Sequence, residues 1–376
     1  MASEPVRTDF LLVPVGENPA RVFGLDAETR VERLAEKAGM DCSREVDPSR
    51  PVILSDLGFA WDPVWLTAIK HHPNNVLMIG DRAVLAHVPA GQDSSPVQRA
   101  MESASPWTGT GLDKIDAETA ELSYSELRKR DRPFVLPLDP ADPEPVERAA
   151  YDASYKGVTD ILTLYLWRRP AFYLTRWAAQ AGMTPNQVTL IGAILCIATF
   201  FLWMEGLYWS GVATAFGFMV LDTVDGKLAR CTGQSSKWGN IFDHGLDLVH
   251  PPFWWWAWAN GLNSRADPFE PVYEWLIICA IVGGYVVQRV IEGIFMRKYG
   301  MHIHVWRKID SKFRLITARR NPNMVILVFS LIRGKPDTGL ELVALWTIVS
   351  LIFHAVRLAQ ANALTERGGK VVSWLS

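Results

Sequence analysis

Cysteine is scarce in this 376-residue chain: Cys42, Cys196, Cys231 and Cys279 stand far apart. Their spacing fits neither a zinc site nor a disulfide framework, so unpaired thiols in a reducing compartment or in lipid are expected. An excess of charge of one sign is also missing. Lysine plus arginine total 38, aspartate plus glutamate 40, and the net charge is −2, so no whole-chain field favours nucleic acid. The opening MASEPVRTDFLLVPVGENPARVFG has no long apolar core behind a basic start, which places the N-terminal region in the cytosol.

Long apolar runs are present, and all lie in the second half. A bilayer core needs about 20 apolar residues per helix. Six stretches qualify, at about 186–205, 207–229, 239–262, 271–296, 321–335 and 338–361, the fifth being the shortest. Basic residues sort the loops between them. Lys227, Arg230 and Lys237 lie between the second and third stretches, and eight arginines and lysines from Arg297 to Arg320 lie between the fourth and fifth. The opposite loops hold only Arg265, then Arg333 and Lys335. The positive-inside rule thus puts both termini and residues 221–250 at the cytoplasmic face. Tryptophans 203, 209, 254–256, 258 and 275 suit an interfacial belt or simple packing equally well. Before the first stretch, DILTLYLWRRPAFYLTRWAAQAG mixes apolar and basic residues at helical spacing. It reads as an amphipathic helix on the inner leaflet, ending at Gly182, with Lys156 and Asp160 as an ordinary surface pair at its start.

Between the second and third stretches runs LDTVDGKLARCTGQSSKWGNIFDHGLDLVH, or D-x-x-D-G-x-x-A-R-x8-G-x3-D-x3-D. Asp222 and Asp225 are i and i+3 and share a helix face with Gly226 and Ala229. Those two small residues let a bulky group lie against the backbone. Asp243 and Asp247 are i and i+4 on the next helix. Two such helix ends packed together bring four carboxylates close, and each raises its neighbours' pKa unless cations intervene. Oxygen ligands with high negative charge suit Mg²⁺ or Mn²⁺. A pair of such ions beside small residues and an arginine suits a pyrophosphate, while one aspartate can take the proton from an attacking hydroxyl. A lone aspartate at a helix end usually just faces water. Eight specified positions, at roughly 5–9% usage each, recur by chance about once in ten billion starts.

The stretch resembles the signature of the CDP-alcohol phosphotransferase (CDP-alcohol phosphatidyltransferase) family, with every position at the expected spacing. MTPNQVTLIG resembles the segment that opens the family's first span. The resemblance implies an all-α six-helix transmembrane bundle, preceded here by a small cytosolic α/β domain. It implies transfer of a phospho-alcohol from a CDP-alcohol to a hydroxyl acceptor with release of CMP, in phospholipid biosynthesis. The implied metal ligands are Asp222, Asp225, Asp243 and Asp247, holding two Mg²⁺ or Mn²⁺ ions, with Asp247 also the general base. Asp222, Gly226, Ala229 and Arg230 are implied CDP contacts, and Gly239 allows close approach. A homodimer is implied as well. Asn186 and Thr189 open the first span and either bind the nucleotide or cap the helix. Arg289, Arg319 and Arg320 either hold an anionic acceptor or serve positive-inside topology and lipid headgroups. His244 and His250 have no ligand partner at clear spacing.

The expected division is 1–145 α/β domain, 146–184 linker and interfacial helix, and 185–376 membrane domain. In the first part, DFLLVPV, PVILS and NNVLMIGDRAVLAHVPA read as strands, and DAETRVERLAEKAG and DPVWLTAIKHH as helices. VFGLDAETRVERLAEKAG is faintly similar to the nucleotidyltransferase-like domain some family members carry. Such a domain needs a Gly-rich basic loop for triphosphate, but VPVGENPAR offers one glycine and a proline before Arg21. An inactive domain is expected. LPLDPADPEPVER reads as the linker. The expected donor is CDP-diacylglycerol with a small polar acceptor. The alternative is a CDP-linked head group such as CDP-inositol with a lipid or phosphorylated acceptor. Readings of another class are an ion transporter, whose acids would be spread through the bilayer depth, and an inactive membrane anchor, whose signature would be eroded.

Overall fold

The structure, a computed structural model, describes residues 9–120, 122–124, 129–155, 157–234, 237–264 and 268–375, excepting the side chains of 122–124, 129–131, 237, 238, 240, 243 and 244. The chain divides into two compact units. The first comprises Met1–Tyr155, Leu174–Pro185 and Gly226–Lys237, and the second Lys156–Tyr173, Asn186–Asp225 and Trp238–Ser376.

The first unit is an α/β sandwich. Its elements run β1 (Leu11–Val15), β2 (Arg21–Val22), β3 (Leu25–Asp26), α1 (Ala27–Lys37), β4 (Asp41–Cys42), β5 (Val52–Asp56), β6 (Phe59–Trp61), α2 (Val64–Lys70), β7 (Asn75–Ile79) and β8 (Arg82–Val88). They continue with α3 (Ser95–Glu102), β9 (Asp113–Asp116), β10 (Leu122–Tyr124), β11 (Lys129–Asp131), β12 (Val135–Pro137) and α4 (Glu144–Ala153). The main sheet has the order β4-β1-β5-β8-β7-β9. β1 is parallel to β4 and β5, whereas β8 is antiparallel to both β5 and β7. Every residue of β1 and β5 is buried, which is why both read as unbroken apolar runs rather than as alternation. Alternate residues Leu11, Val13 and Val15 share a core with Val97 and Met101 of α3. α1 begins at Asp26, whose Oδ1 accepts the Thr29 amide at 2.8 Å, an N-cap that satisfies a donor the helix cannot. The stretch LPLDPADPEPVER, expected as linker, instead contains the end of β12, which pairs with β6, and the first turn of α4. Proline at the start of α4 needs no amide partner, so a Pro-rich run serves as a helix entry.

Six helices of the second half occupy the six apolar stretches: α6 (Pro185–Met204), α7 (Tyr208–Cys231), α8 (Lys237–Leu262), α9 (Pro271–Tyr299), α11 (Arg320–Ile332) and α12 (Pro336–Glu366). α5 (Arg168–Gln180) precedes them, and α10 (Lys308–Arg314) lies between α9 and α11. Among the described residues, α6, α9 and α12 are long and apolar enough to cross a membrane, and α11 is a shorter apolar helix. The amphipathic segment is not one helix. A π-helical turn, Leu162–Leu166, precedes α5, because Pro170 has no N–H to offer the Leu166 carbonyl. The segment ends as expected, with Gly182 at φ +69°, a left-handed turn that favours glycine.

The tryptophans divide. Trp203, Trp254, Trp255 and Trp258 are fully buried, whereas Trp209, Trp256 and Trp275 are exposed. The buried ones pack edge-on, and their indoles find partners in the bundle: Trp254 Nε1 donates to Cys196 O at 3.1 Å and Trp258 Nε1 to Pro336 O at 3.0 Å. α8 contains Pro251 and Pro252, which leave the carbonyls of Asp247 and Leu248 without helical donors. Tyr285 of α9 donates its hydroxyl to Leu248 O at 3.2 Å, filling one of these places.

Candidate active site

In the second unit, Asp222 of α7 and Asp247 of α8 meet on one guanidinium. Arg320, the first residue of α11, donates from Nη2 to Asp222 Oδ2 at 2.7 Å and from Nη1 to Asp247 Oδ1 at 2.8 Å. Its charge lies 4.8 Å from the Phe218 ring centroid. Asp222 is mostly buried; Asp247 is 47% exposed, which leaves it accessible. Asp225, one turn past Asp222, is buried, and Thr189 of α6 donates its hydroxyl to Oδ2 at 2.6 Å. Thr189 is therefore tied to a carboxylate, a role the sequence left between nucleotide contact and helix capping. Asn186 is exposed in the first turn of α6. Gly239 lies in the first turn of α8, and Asp243 one turn on; the Asp243 and His244 side chains lie outside the described residues. His250 is buried, with Nδ1 2.7 Å from Leu246 O.

Arg320 is itself positioned. Its Nε donates to Asn321 Oδ1 at 3.1 Å, and Asn321 Nδ2 donates to Asp160 Oδ1 at 2.9 Å. Asp160 also accepts the Thr163 amide and hydroxyl at 3.0 and 2.8 Å. It is buried, not half of a surface pair, and Lys156 lies outside the described residues. Burial pushes the Asp160 pKa up, but the Arg314 charge and the hydrogen bonds from Thr163 and Asn321 outweigh it, leaving the carboxyl below its ordinary value.

Arg289 and Arg319 converge on Glu292 of α9. Arg319 Nη2 lies 2.7 Å from both carboxylate oxygens, and Arg289 Nη1 3.0 Å from Oε2. His304 Nε2 lies 3.3 Å from Glu292 Oε1. Burial holds the His304 pKa well below its ordinary value, against the pull of Glu292. Glu292, His304 and His354 bring ligand atoms within 4.8 Å of one another. Two guanidiniums already lie on the shared carboxylate, so the cluster locks Arg319 in place rather than offering a cation site. Thus Arg320 stands with the aspartates, while Arg289 and Arg319 are held by an acid that sequence spacing pairs with Arg289 alone.

The last turn of α7 belongs to the first unit. A Cβ built on Gly226 would lie 3.1 Å from Arg230 Nη2. The space that glycine leaves is therefore covered by the arginine of the same motif, four residues on. Ala229 and Arg230 are partly buried.

The carboxylate group tests well against a hard divalent cation. Its donors are carboxylate oxygens from neighbouring helices, and two of them already share one cationic group, the charge position a metal ion would take. Residues 182–353 match the model of the CDP-alcohol phosphatidyltransferase family. That stretch is similar to CDP-alcohol phosphatidyltransferases. The human cholinephosphotransferase 1 is 27% identical over 161 residues, covering 40% of this chain and 37% of the relative. An archaetidylinositol phosphate synthase of Pyrococcus horikoshii is 35% identical over 83 residues, covering 22% of this chain and 44% of the relative. The chain thus spans less than half the length of the curated relatives it matches. A Mycobacterium tuberculosis phosphatidylinositol phosphate synthase solved with CDP-DAG bound aligns with a TM-score of 0.38 at 17% identity, over 50% of this chain and 94% of that one. The matched stretch includes α6, α9 and most of α12, the apolar helices that make this an integral membrane protein.

Proposed function

We propose that this protein is a CDP-alcohol phosphotransferase of phospholipid synthesis, and the observation that carries the reading is the pairing of Asp222 and Asp247 on Arg320. Asp222, Asp225, Asp243 and Asp247 would hold Mg²⁺ or Mn²⁺, two ions in all, which would neutralise the donor pyrophosphate, polarise phosphorus and stabilise the leaving group. Arg230, which covers the space beside Gly226, would turn onto the nucleotide phosphates and free that space, with Ala229, Gly239 and Asn186 bordering the nucleotide. Asp247, the accessible acid, takes the proton of the acceptor hydroxyl. That oxygen bonds to phosphorus, and the bond to the CMP oxygen breaks, CMP leaving with the electron pair. The donor is CDP-diacylglycerol and the acceptor a small polar alcohol. This choice is supported by the charge of Arg289 and Arg319, of which the one carboxylate of Glu292 answers half, leaving a modest positive charge that suits a weakly anionic or neutral acceptor. The second reading, transfer of a polar head group from its CDP derivative to a lipid, is favoured by the cholinephosphotransferase relatives, whose name states phosphocholine transfer.

The chain works as a six-span bundle with the aspartates and both termini on the cytoplasmic side, as the basic loops indicate, and as a homodimer. The first unit lacks a phosphate-cradling loop after β1 and has no nucleotidyl-transfer role. The test is CMP release by purified protein supplied with Mg²⁺, several CDP-alcohols and candidate acceptors. Asp247→Asn should lower turnover by about 10²–10⁴-fold with metal binding nearly unchanged. A near-normal rate would remove Asp247 as the base. No CMP release from any donor would favour an inactive anchor.

A further inference from the structure

The first unit contains a cavity of about 460 Å³, walled by α1, the start of α2, α4 and the end of α7. Its size falls within the range of small-molecule sites, about 300–1,000 Å³. Arg30, Arg33 and Lys37 line it from one face of α1, at i, i+3 and i+7, and Arg230 lines it from α7. Among the described lining residues the one carboxylate is Asp62, which already accepts the Val64 amide at 3.1 Å. Of these cations Arg30 is buried, Arg33 and Arg230 are partly buried and Lys37 is exposed, so the cost of taking charge out of water falls unevenly.

Arg30 bears most of that cost. It is 6% exposed, and among the described residues its one hydrogen bond runs from Nη2 to Trp61 O at 2.9 Å. A guanidinium has five N–H donors, so most of its capacity goes unused. Burial lowers its pKa to about 10 despite the pull of Asp62. An anion with several oxygens, placed against Arg30 and within reach of Arg33 and Lys37, would satisfy the Arg30 donors; a phosphate meets a guanidinium fork in bidentate fashion. Leu34, Leu66 and Phe134 complete the lining, giving an apolar surface for the rest of the ligand.

We propose that this cavity is a second ligand site, taking a small soluble phosphomonoester with a flat or apolar body, of the nucleoside monophosphate class. None of Asp222, Asp225, Asp243 or Asp247 lines it, and Arg230 is the one residue it shares with the proposed CDP contacts. The site therefore binds without metal and independently of whether the chain transfers phospho-alcohols.

The experiment titrates adenosine 5′-monophosphate into the full chain in lipid nanodiscs with EDTA present, followed by calorimetry. Inorganic phosphate serves as competitor, and phosphatidic acid in the disc as the lipid-borne version of the same chemistry. Arg33→Ala combined with Lys37→Ala changes two incompletely buried residues and tests the site without emptying the core. Arg30→Met, which keeps bulk and removes charge, is the second variant. The nucleotide should bind, be displaced by inorganic phosphate, lose at least about tenfold in affinity in either variant, and be unaffected by Asp225→Ala. Failure to bind, equal binding by both variants, or displacement by phosphatidic acid alone overturns the proposal.

Discussion

Arg320 Nη2 lies 2.7 Å from Asp222 Oδ2, so a residue of α11 neutralises an acid of the motif on α7, three helices earlier in the bundle. The same guanidinium reaches Asp247. A divalent ion entering this group competes with Arg320 for the same oxygens. Arg320→Gln should therefore bind Mn²⁺ about tenfold more tightly, ~1.4 kcal/mol, as read by electron paramagnetic resonance of free Mn²⁺. Weaker binding would show that Arg320 assembles the acids instead of competing for them.

Thr189 donates a 2.6 Å hydrogen bond to the buried Asp225 carboxylate. Thr189→Val keeps the shape and removes the donor, which costs about 1–3 kcal/mol when a buried acceptor is left short of a partner. The thermal midpoint of the metal-free protein should fall, and added Mg²⁺ should recover most of the loss. Asp225→Ala should show no such recovery and should lose metal-dependent nucleotide binding. Recovery in both variants would exclude Asp225 as a ligand.

The aspartate motif was legible because its positions are fixed by helical spacing within a single stretch, and the six helices because bilayer thickness sets their length. Arg320 beside Asp222 was not, since residues 98 apart in sequence meet only through the packing of α11. Asp160 looked like a surface acid because it opens a basic, amphipathic segment; what buries it is Asn321, far along the chain. The tryptophans defeated sequence reasoning for a related reason. An indole that seeks a polar partner finds one at the membrane interface or on a carbonyl inside the bundle, and sequence does not say which: of adjacent residues, Trp255 is buried and Trp256 exposed. Asx turns and proline entries explain why the acid- and Pro-rich run at 136–148 was structured: its aspartates hold backbone amides, as Asp139 does for Ala141 at 2.8 Å.

Trp258 and Trp256 give a direct comparison. Trp258 is fully buried, stacks near Tyr208 with centroids 4.4 Å apart and donates to Pro336 O, whereas Trp256 is 44% exposed. Trp258→Ala should destabilise the detergent-solubilised protein by about 3–5 kcal/mol. Trp256→Ala should leave the thermal midpoint almost unchanged in detergent. Equal losses in the two variants would mean that the tryptophan core around Trp203 does not carry the bundle's packing.

His87 of β8 predicts a pH response confined to the first unit. Its ring is buried, with Nδ1 3.0 Å from Ile69 O. Burial lowers its pKa below the ordinary 6.5, more than the carbonyls of Ile69 and His72 raise it. The fold therefore favours the neutral ring, and the unfolded chain takes up the proton first as pH falls. The contribution of His87 to stability is present above pH 6.5 and is lost progressively below it as the pH approaches and passes the folded-state value. Thermal midpoints measured from neutral pH down to mildly acid pH should decline in the natural protein and decline less steeply in His87→Gln, which cannot titrate. The comparison is of slopes, so any constant loss from the substitution itself drops out. Parallel slopes in the two proteins would show that the ring takes up its proton equally in the folded and unfolded chains, which contradicts the burial argument.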